Sequence, residues 1–340
     1  MFETTIAGSL PRPDWLAEPE TLKGAWKLGG QALEAGKRRA AAEWLQHEEA
    51  AGIDIVTNGE VFRSHFVHGF LEGLTGIDWQ TMTRMGIRNN RYELEVPTVV
   101  APLGRPAPVH LDEVRFSHAQ TRRKFKFTLP GPMTIVDTVA DRFYGDRVKM
   151  AFAFAELLNQ EALALQADGV DIIQFDEPAF NVYMKEAADW GVKALERAAQ
   201  GLTCTTAVHI CYGYGIQANV DWKNTLGDEW RQYEDVFPAL ARSSIQQVSL
   251  ECYHSHVPPE LMKLLEGKDV MVGVIDVASD VVETPEQVAD TIGTALQFVP
   301  RHRLIPCTNC GLAPMSREVA LAKLDALAKG AALARQRYGG

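Results

Sequence analysis

The chain has 340 residues, 46% of them hydrophobic and 23% charged, with a formal net charge of -10 and no dense Lys/Arg block. That length suits one large α/β domain, and the acidic balance excludes nucleic acid or an anionic membrane as the main partner. The N-terminal Met1-Phe2-Glu3-Thr4-Thr5 has no basic or apolar leader pattern, and no apolar run is long enough to span a bilayer, so the expected location is the cytoplasm with its five cysteines reduced.

Taken in chain order, eight short runs rich in Val, Ile, Leu or Phe predict strands. They are Glu3–Gly8, Ile53–Asn58, Lys124–Leu129, Val170–Phe175, Thr205–Ile210, Gln246–Glu251, Asp269–Ile275 and Arg303–Cys307. Near-continuous apolar runs of this length fit parallel strands buried on both faces. Helical patterns separate them. Leu22–Glu49 is Ala-rich with one apolar stripe, and Val148–Gln166 reads the same way. Thr284-Pro285-Glu286-Gln287 reads as a capping box opening Gln287–Phe298, and Val319–Arg335 is a final amphipathic helix. The alternation predicts a (β/α)8 TIM barrel forming a single domain over 1–340. Between the second and third strands, His65–Asp78 reads as helical. Arg91–Val100 and Pro108–Phe116 alternate around Pro102-Leu103-Gly104-Arg105-Pro106, which predicts a β-hairpin insertion.

Active sites of this fold lie at the C-terminal ends of the strands. The polar residues there are Ser9, Glu60, Asp176 with Glu177, His209 with Cys211, Glu251, Asp276 and Cys310. His209 and Cys211 are two apart and share a face of their strand. With Glu251 and Cys310 they offer one imidazole, two thiolates and one carboxylate, a donor set suited to Zn2+. The bland reading of His209 is a satisfied core histidine; Glu251 weighs against it, because a carboxylate ending Val-Ser-Leu is costly to bury without a purpose. Cys307 and Cys310 form a CxxC, but it ends a strand, whereas a redox CxxC opens a helix. Cys310, further into the loop, is the better ligand; Cys252 and Cys204 are expected to pack in the core. The bland reading of Asp176-Glu177 is that one carboxylate caps the following helix; at a barrel mouth at least one is expected to be functional. Trp79, Trp190, Trp222 and Trp230 read as packing.

Together, Ala7-Gly8-Ser9, Thr57-Asn58-Gly59-Glu60, Pro130-Gly131-Pro132-Met133-Thr134, Phe175-Asp176-Glu177-Pro178-Ala179, His209-Ile210-Cys211, Glu251 and Cys310-Gly311-Leu312 resemble the C-terminal catalytic barrel of cobalamin-independent methionine synthase. The resemblance runs in order from about residue 4 to residue 335 and covers that barrel alone, which implies a single-barrel form. It implies zinc-dependent methyl transfer to the thiol of L-homocysteine. His209, Cys211, Glu251 and Cys310 would bind the zinc. Glu60 and Asp176 would face the substrate ammonium, and Ala7, Gly8 and Ser9 its carboxylate.

Three positions depart from the family pattern. Thr138 stands where the family has a tryptophan flanking the pterin, Val182 where it has a pterin-binding glutamate, and Ala278 where it has the proton-donating histidine. The N5 amine of methyltetrahydrofolate leaves only if protonated, whereas a corrinoid leaves without a proton. The departures therefore predict a donor other than polyglutamyl methyltetrahydrofolate: a methylcorrinoid, or a methyl group brought by a donor-delivery protein. His254 and His256 are the candidate substitutes for the missing acid. The competing readings are a zinc alkyltransferase for another thiol such as coenzyme M, and a non-enzymatic zinc-binding protein.

Overall fold

The computed structural model describes residues 1–18, 25–214 and 216–339. Among the described residues there are ten strands: β1 Ile55–Val56, β2 Thr75–Ile87, β3 Tyr92–Gly104, β4 Lys124–Pro130, β5 Ala140–Asp141, β6 Ile172–Asp176, β7 Thr205–His209, β8 Gln247–Glu251, β9 Asp269–Ile275 and β10 Leu304–Thr308. Seven of them form one parallel sheet in the order β1-β4-β6-β7-β8-β9-β10. Helices connect them, giving an α/β fold of TIM-barrel-like form. The expected first strand, Glu3–Gly8, is not a regular strand. It nevertheless lies between the two edges of the sheet: Thr5 N–H donates to Pro306 O at 3.1 Å, and Ile55 N–H donates to Thr4 O at 3.0 Å.

The layering along each strand explains where the polar site falls. Ile55, Ile172, Ala207, Met271, Ile305 and Cys307 form a small buried cluster of their own, apart from the main core under the helices. Side chains two apart share a face. Ile172 is thus followed by Gln174 and Asp176, and Ala207 by His209. An apolar floor passes into a polar layer toward the strand ends, where parallel neighbours such as Asp176 and His209 stand side by side. Cys307 belongs to the floor. A register shift between Cys307 and Thr308 separates it from Cys310, which lies in the following loop.

The long helices match their predicted positions with shifted ends. The first is Gly30–Ala51; residues 22–24 of its expected start lie outside the described residues. Arg147–Ala167 opens on Asp146, whose carboxylate accepts from Val148 and Lys149 N–H. Pro285–Ala295 opens on the predicted Thr284–Gln287 capping box, and Arg317–Tyr338 on a Ser316 cap. Among the described residues, no helix is long and apolar enough to cross a membrane.

The segment between β1 and β4 corrects the sequence reading. His65–Asp78 holds only a four-residue helix, His68–Leu71, before β2 begins. The antiparallel pair is β2 with β3, each 13 residues long, and not 91–100 with 108–116; the latter run overlaps the helix Leu111–His118. The pair turns at Arg88, Asn89 and Asn90, all left-handed with φ of 53°, 57° and 59°. Asn tolerates this conformation. Arg88 is anchored there by a buried ion pair with Asp137.

Candidate metal and substrate site

One cavity of about 490 Å³ opens at the strand ends. Ser9, Glu60, Asp176, His209, Cys211 and Cys310 all line it. Glu251 ends β8 and Asp276 directly follows β9, but neither is part of its lining.

In its depth, His209, Cys211 and Cys310 place their ligand atoms within 4.8 Å of one another. The two sulfurs are 3.1 Å apart, with the Cys310 thiol donating. That hydrogen bond pulls the Cys211 thiol well below its ordinary range despite burial, and the His209 ring adds to the effect; Cys310 is pushed up correspondingly. His209 Nδ1 contacts Ser249 Oγ at 3.0 Å, which fixes the ring. Its Nε2 is buried without a hydrogen-bond partner. A fixed imidazole with one orphaned nitrogen beside two sulfurs fits a soft-to-borderline cation. Glu251 does not join the group. Its Oε1 accepts from Tyr212 N–H at 2.8 Å and its Oε2 from the Tyr214 hydroxyl at 2.7 Å. Burial, with the Cys211 charge adding, raises its carboxyl to about 7.

Beside this group the cavity has two oppositely polarised faces. On one, Glu60 Oε1 accepts from Thr128 Oγ1 at 2.8 Å, and Asp176 Oδ1 accepts from Gln174 Nε2 at 2.8 Å. Burial raises Asp176 to about 7, with the Glu60 charge next, against the opposing pull of His209. Two buried carboxylates that repel each other favour a cation between them. Gly8 is needed for this approach: a β-carbon there would stand 2.6 Å from Glu60 Oε1. The other face is the chain from Ala7 to Ser9. Its carbonyls are used by the protein: Ala7 O accepts from Gln174, Gly8 O from Thr57 and Ser9 O from Leu312. Ala7 N–H is also used, on Thr308 Oγ1. Among the described residues, the Gly8 and Ser9 N–H groups and the Ser9 hydroxyl make no hydrogen bond, so this face offers donors to an anion.

Glu177 has a structural role, though not the cap of the bland reading. Its carboxylate accepts from Met133 N–H, Thr134 N–H and Thr134 Oγ1, capping the neighbouring helix Pro132–Val136 instead of the helix that follows it. Gly131 makes room for it, since a β-carbon there would run into that carboxylate. Cys307 is buried as expected, whereas Cys204 and Cys252 are only half-buried.

The outer part of the cavity holds residues that the sequence reading passed over. Arg91, from the turn of the β2–β3 pair, lies over the ring of Trp222, 3.4 Å from its centroid, and donates to Asn219 Oδ1 at 3.1 Å. Trp222 is therefore part of the cavity wall. Tyr92, Tyr214, His65 and Phe66 add further aromatic surface. Of the three departures, Val182 lines the cavity; Thr138 and Ala278 do not, and the Thr138 hydroxyl is turned back onto Thr134 O and Ile135 O. His254 is 62% exposed and 3.6 Å from Asp276, and the His256 ring lies tilted against Trp230; neither lines the cavity.

The family described as cobalamin-independent synthase, catalytic domain, matches residues 2–333. Methionine synthases of Saccharolobus solfataricus and Sulfurisphaera tokodaii are each 30% identical to this chain over 339 and 337 residues. Those matches cover 99% of this chain and 96% and 93% of theirs. The B12-independent methionine synthase of Shewanella sp. W3-18-1, solved in complex with selenomethionine, is 55% identical. It superposes with a TM-score of 0.96, over 99% of this chain and 98% of that one.

Proposed function

The chain belongs to the cobalamin-independent methionine synthase family, methyltransferases that make methionine from homocysteine, and from that premise we propose that its transfer is zinc-dependent and draws on a donor other than polyglutamyl methyltetrahydrofolate. We also read 1–340 as one domain, with the segment at residues 4–7 as the eighth stave of a closed (β/α)8 barrel. The observation that carries the substrate reading is the pair of opposed faces beside the sulfur group: Glu60 and Asp176 on one side, the free donors of Gly8 and Ser9 on the other. An α-amino acid is a zwitterion and satisfies both; coenzyme M has no ammonium to set between the carboxylates. Selenomethionine, bound by the Shewanella relative, has the shape of the product.

His209, Cys211 and Cys310 would hold the zinc, with Glu251 beside them. When bound, zinc supplies the Lewis acidity that keeps a substrate thiol ionised near neutral pH. The remaining work belongs to the chain. Glu60 and Asp176 fix the ammonium, and the Gly8 and Ser9 donors fix the carboxylate. The amino acid is thereby held with its side chain directed at the sulfur pair. Asp176 loses its proton more readily as the ammonium arrives, because the cation offsets the Glu60 repulsion.

The donor reading rests on Val182, Thr138 and Ala278. The residue facing the donor side at 182 is aliphatic, and the two histidines after β8 stand outside the cavity. A leaving group that needs no protonation, such as a methylcorrinoid or a methyl group delivered by another protein, suits such a wall. The test is methionine formation by the purified protein with methyltetrahydrofolate, methylcobalamin and a methylated corrinoid protein in parallel. Turnover of the corrinoid donors and little or none of the folate is expected. Efficient methionine synthesis from the folate by this protein alone would overturn the donor reading and turn attention to His65 as the acid, because it does line the cavity.

A further inference from the structure

Glu60 is held from behind by a buried ring of polar groups. Its backbone is left-handed, with φ of 58°, which is uncommon for a residue that carries a side chain. Glu60 N–H donates to Asn58 Oδ1 at 3.1 Å, and Glu60 O accepts from Arg63 N–H at 3.1 Å, which supports that conformation. The side chain is fixed in turn. Thr128 Oγ1 donates to Glu60 Oε1 at 2.8 Å and accepts from Arg63 Nη1 at 3.3 Å. A guanidinium only donates, so the single proton of the threonine hydroxyl is left for the carboxylate. Arg63 is buried over the Phe127 ring and reaches Glu113 Oε1 through Nη2 at 3.5 Å. Asn58 Nδ2 and His110 Nδ1 contact the same carboxylate at 2.9 Å each, so Asn58 closes the ring. Against the effect of its burial, the Arg63 charge and these neighbours hold the Glu113 carboxyl down at about 2. Among the described residues no donor reaches Glu60 Oε2, which is left for the cavity that Glu60 lines.

We propose that Arg63 is a positioning residue for the amino-acid substrate: through the Thr128 hydroxyl it fixes Glu60 so that Oε2 meets the α-ammonium, and Glu113 is the counter-charge that keeps the guanidinium in place. The proposal rests on the substrate reading given above, in which Glu60 takes the ammonium. Neither Arg63 nor Thr128 lines the cavity, so both act only through Glu60. A guanidinium bonded directly to Glu60 would compete with the ammonium for its charge. Set behind a neutral hydroxyl and balanced by Glu113, it orients the carboxylate and leaves that charge for the substrate. Residues outside the cavity thereby set its selectivity for thiols that carry an ammonium.

Homocysteine and γ-mercaptobutyrate, the same thiol acid without its amino group, separate this role from a general loss of structure. Isothermal titration would measure both on wild type, Thr128→Val, Thr128→Ser, and Arg63→Leu combined with Glu113→Gln, which strands no buried charge. Thr128→Val should lose homocysteine affinity roughly tenfold, the size of one hydrogen bond to a charged group, and keep its γ-mercaptobutyrate affinity. Thr128→Ser retains the hydroxyl and should bind both thiols as wild type does. The Arg63/Glu113 double variant should repeat the Thr128→Val pattern. Added to Glu60→Gln, Thr128→Val should cost nothing further, because its effect passes through that carboxylate. Unchanged homocysteine affinity in Thr128→Val overturns the proposal, as does an equal loss for both thiols or full additivity with Glu60→Gln. Wild-type binding by the Arg63/Glu113 variant also overturns it, and if that variant does not fold, the Thr128 series decides alone. A wild-type protein that binds the two thiols equally fails at an earlier step: it overturns the ammonium reading, and this proposal with it.

Discussion

Arg91 rests on the face of Trp222, 3.4 Å from the ring centroid, and this contact ties the turn of the β2–β3 pair to the segment after β7 across the mouth of the cavity. Its hydrogen-bond partner Asn219 is neutral, and burial with the neighbouring Arg88 charge lowers Arg91 to about 10, which leaves it charged at neutral pH. A stacked cation on a half-exposed indole is worth about 1 kcal/mol. A double-mutant cycle with Arg91→Ala and Trp222→Ala, read by thermal unfolding, should give a coupling of about that size. Additivity within about 0.3 kcal/mol would mean that the two side chains do not support each other in solution.

The two cysteines of the CxxC should behave differently. Cys310→Ser and Cys211→Ser should each lose most of the bound zinc while keeping the wild-type circular dichroism, because the apolar floor and outer core lie elsewhere. Cys307→Ala should keep its zinc and lose about 1–2 kcal/mol of stability for the small cavity it leaves in the floor. Metal analysis beside thermal unfolding separates these outcomes; zinc loss from Cys307→Ala would make that residue a ligand.

Glu60→Gln should leave zinc content unchanged and weaken homocysteine binding by about tenfold to a hundredfold, the loss of one charge-assisted contact of roughly 1.5–3 kcal/mol. Isothermal titration with homocysteine measures it. Undiminished affinity, or better binding of a thiol that lacks an amino group, would count against the zwitterion reading.

Stability should fall with rising pH through one buried group. Glu48, fully buried, accepts from Thr57 N–H at 2.7 Å, and burial raises its carboxyl from 4.5 to about 8. A group whose folded value is raised stabilises fully below its unfolded value and loses that contribution as pH climbs toward the folded value. The window is therefore about pH 4.5 to 8. Glu48→Gln, neutral throughout, should gain on wild type in Tm between pH 5 and pH 8. A difference independent of pH, measured by calorimetry, would show that Glu48 does not titrate in this range.

Much of the site was legible because parallel strands buried on both faces must end in whatever polar residues the mouth needs. Asp176 and His209 follow apolar runs in phase with the inward face, so their convergence follows from a period of two. What remained hidden depends on contacts between segments far apart in sequence. Nothing local shows that Glu251 turns onto Tyr214, or that Glu177 reaches the helix after β4. Trp222 sits in a polar stretch with no stripe to mark it, and its place in the wall depends on Arg91, 131 residues earlier. The antiparallel pair falls elsewhere than expected because Pro102 lies within β3, where proline reads as a strand breaker, while the short alternation of 108–116 suits one face of a helix as well as a strand.

The 3.1 Å between Cys211 and Cys310 sulfur atoms also has a cost when no ion is bound. Two thiols so close, one with its acidity enhanced by the other, are a ready substrate for thiol–disulfide exchange. Oxidised glutathione would take both electrons of the pair, leaving two reduced glutathiones and a crosslink between β7 and the loop after β10. That crosslink would take both sulfurs from the proposed metal group at once. Metal occupancy would then double as protection from oxidation. Metal-free protein treated with oxidised glutathione should lose two titratable thiols and its ability to take up zinc, both recovered with reductant, whereas zinc-loaded protein should keep them.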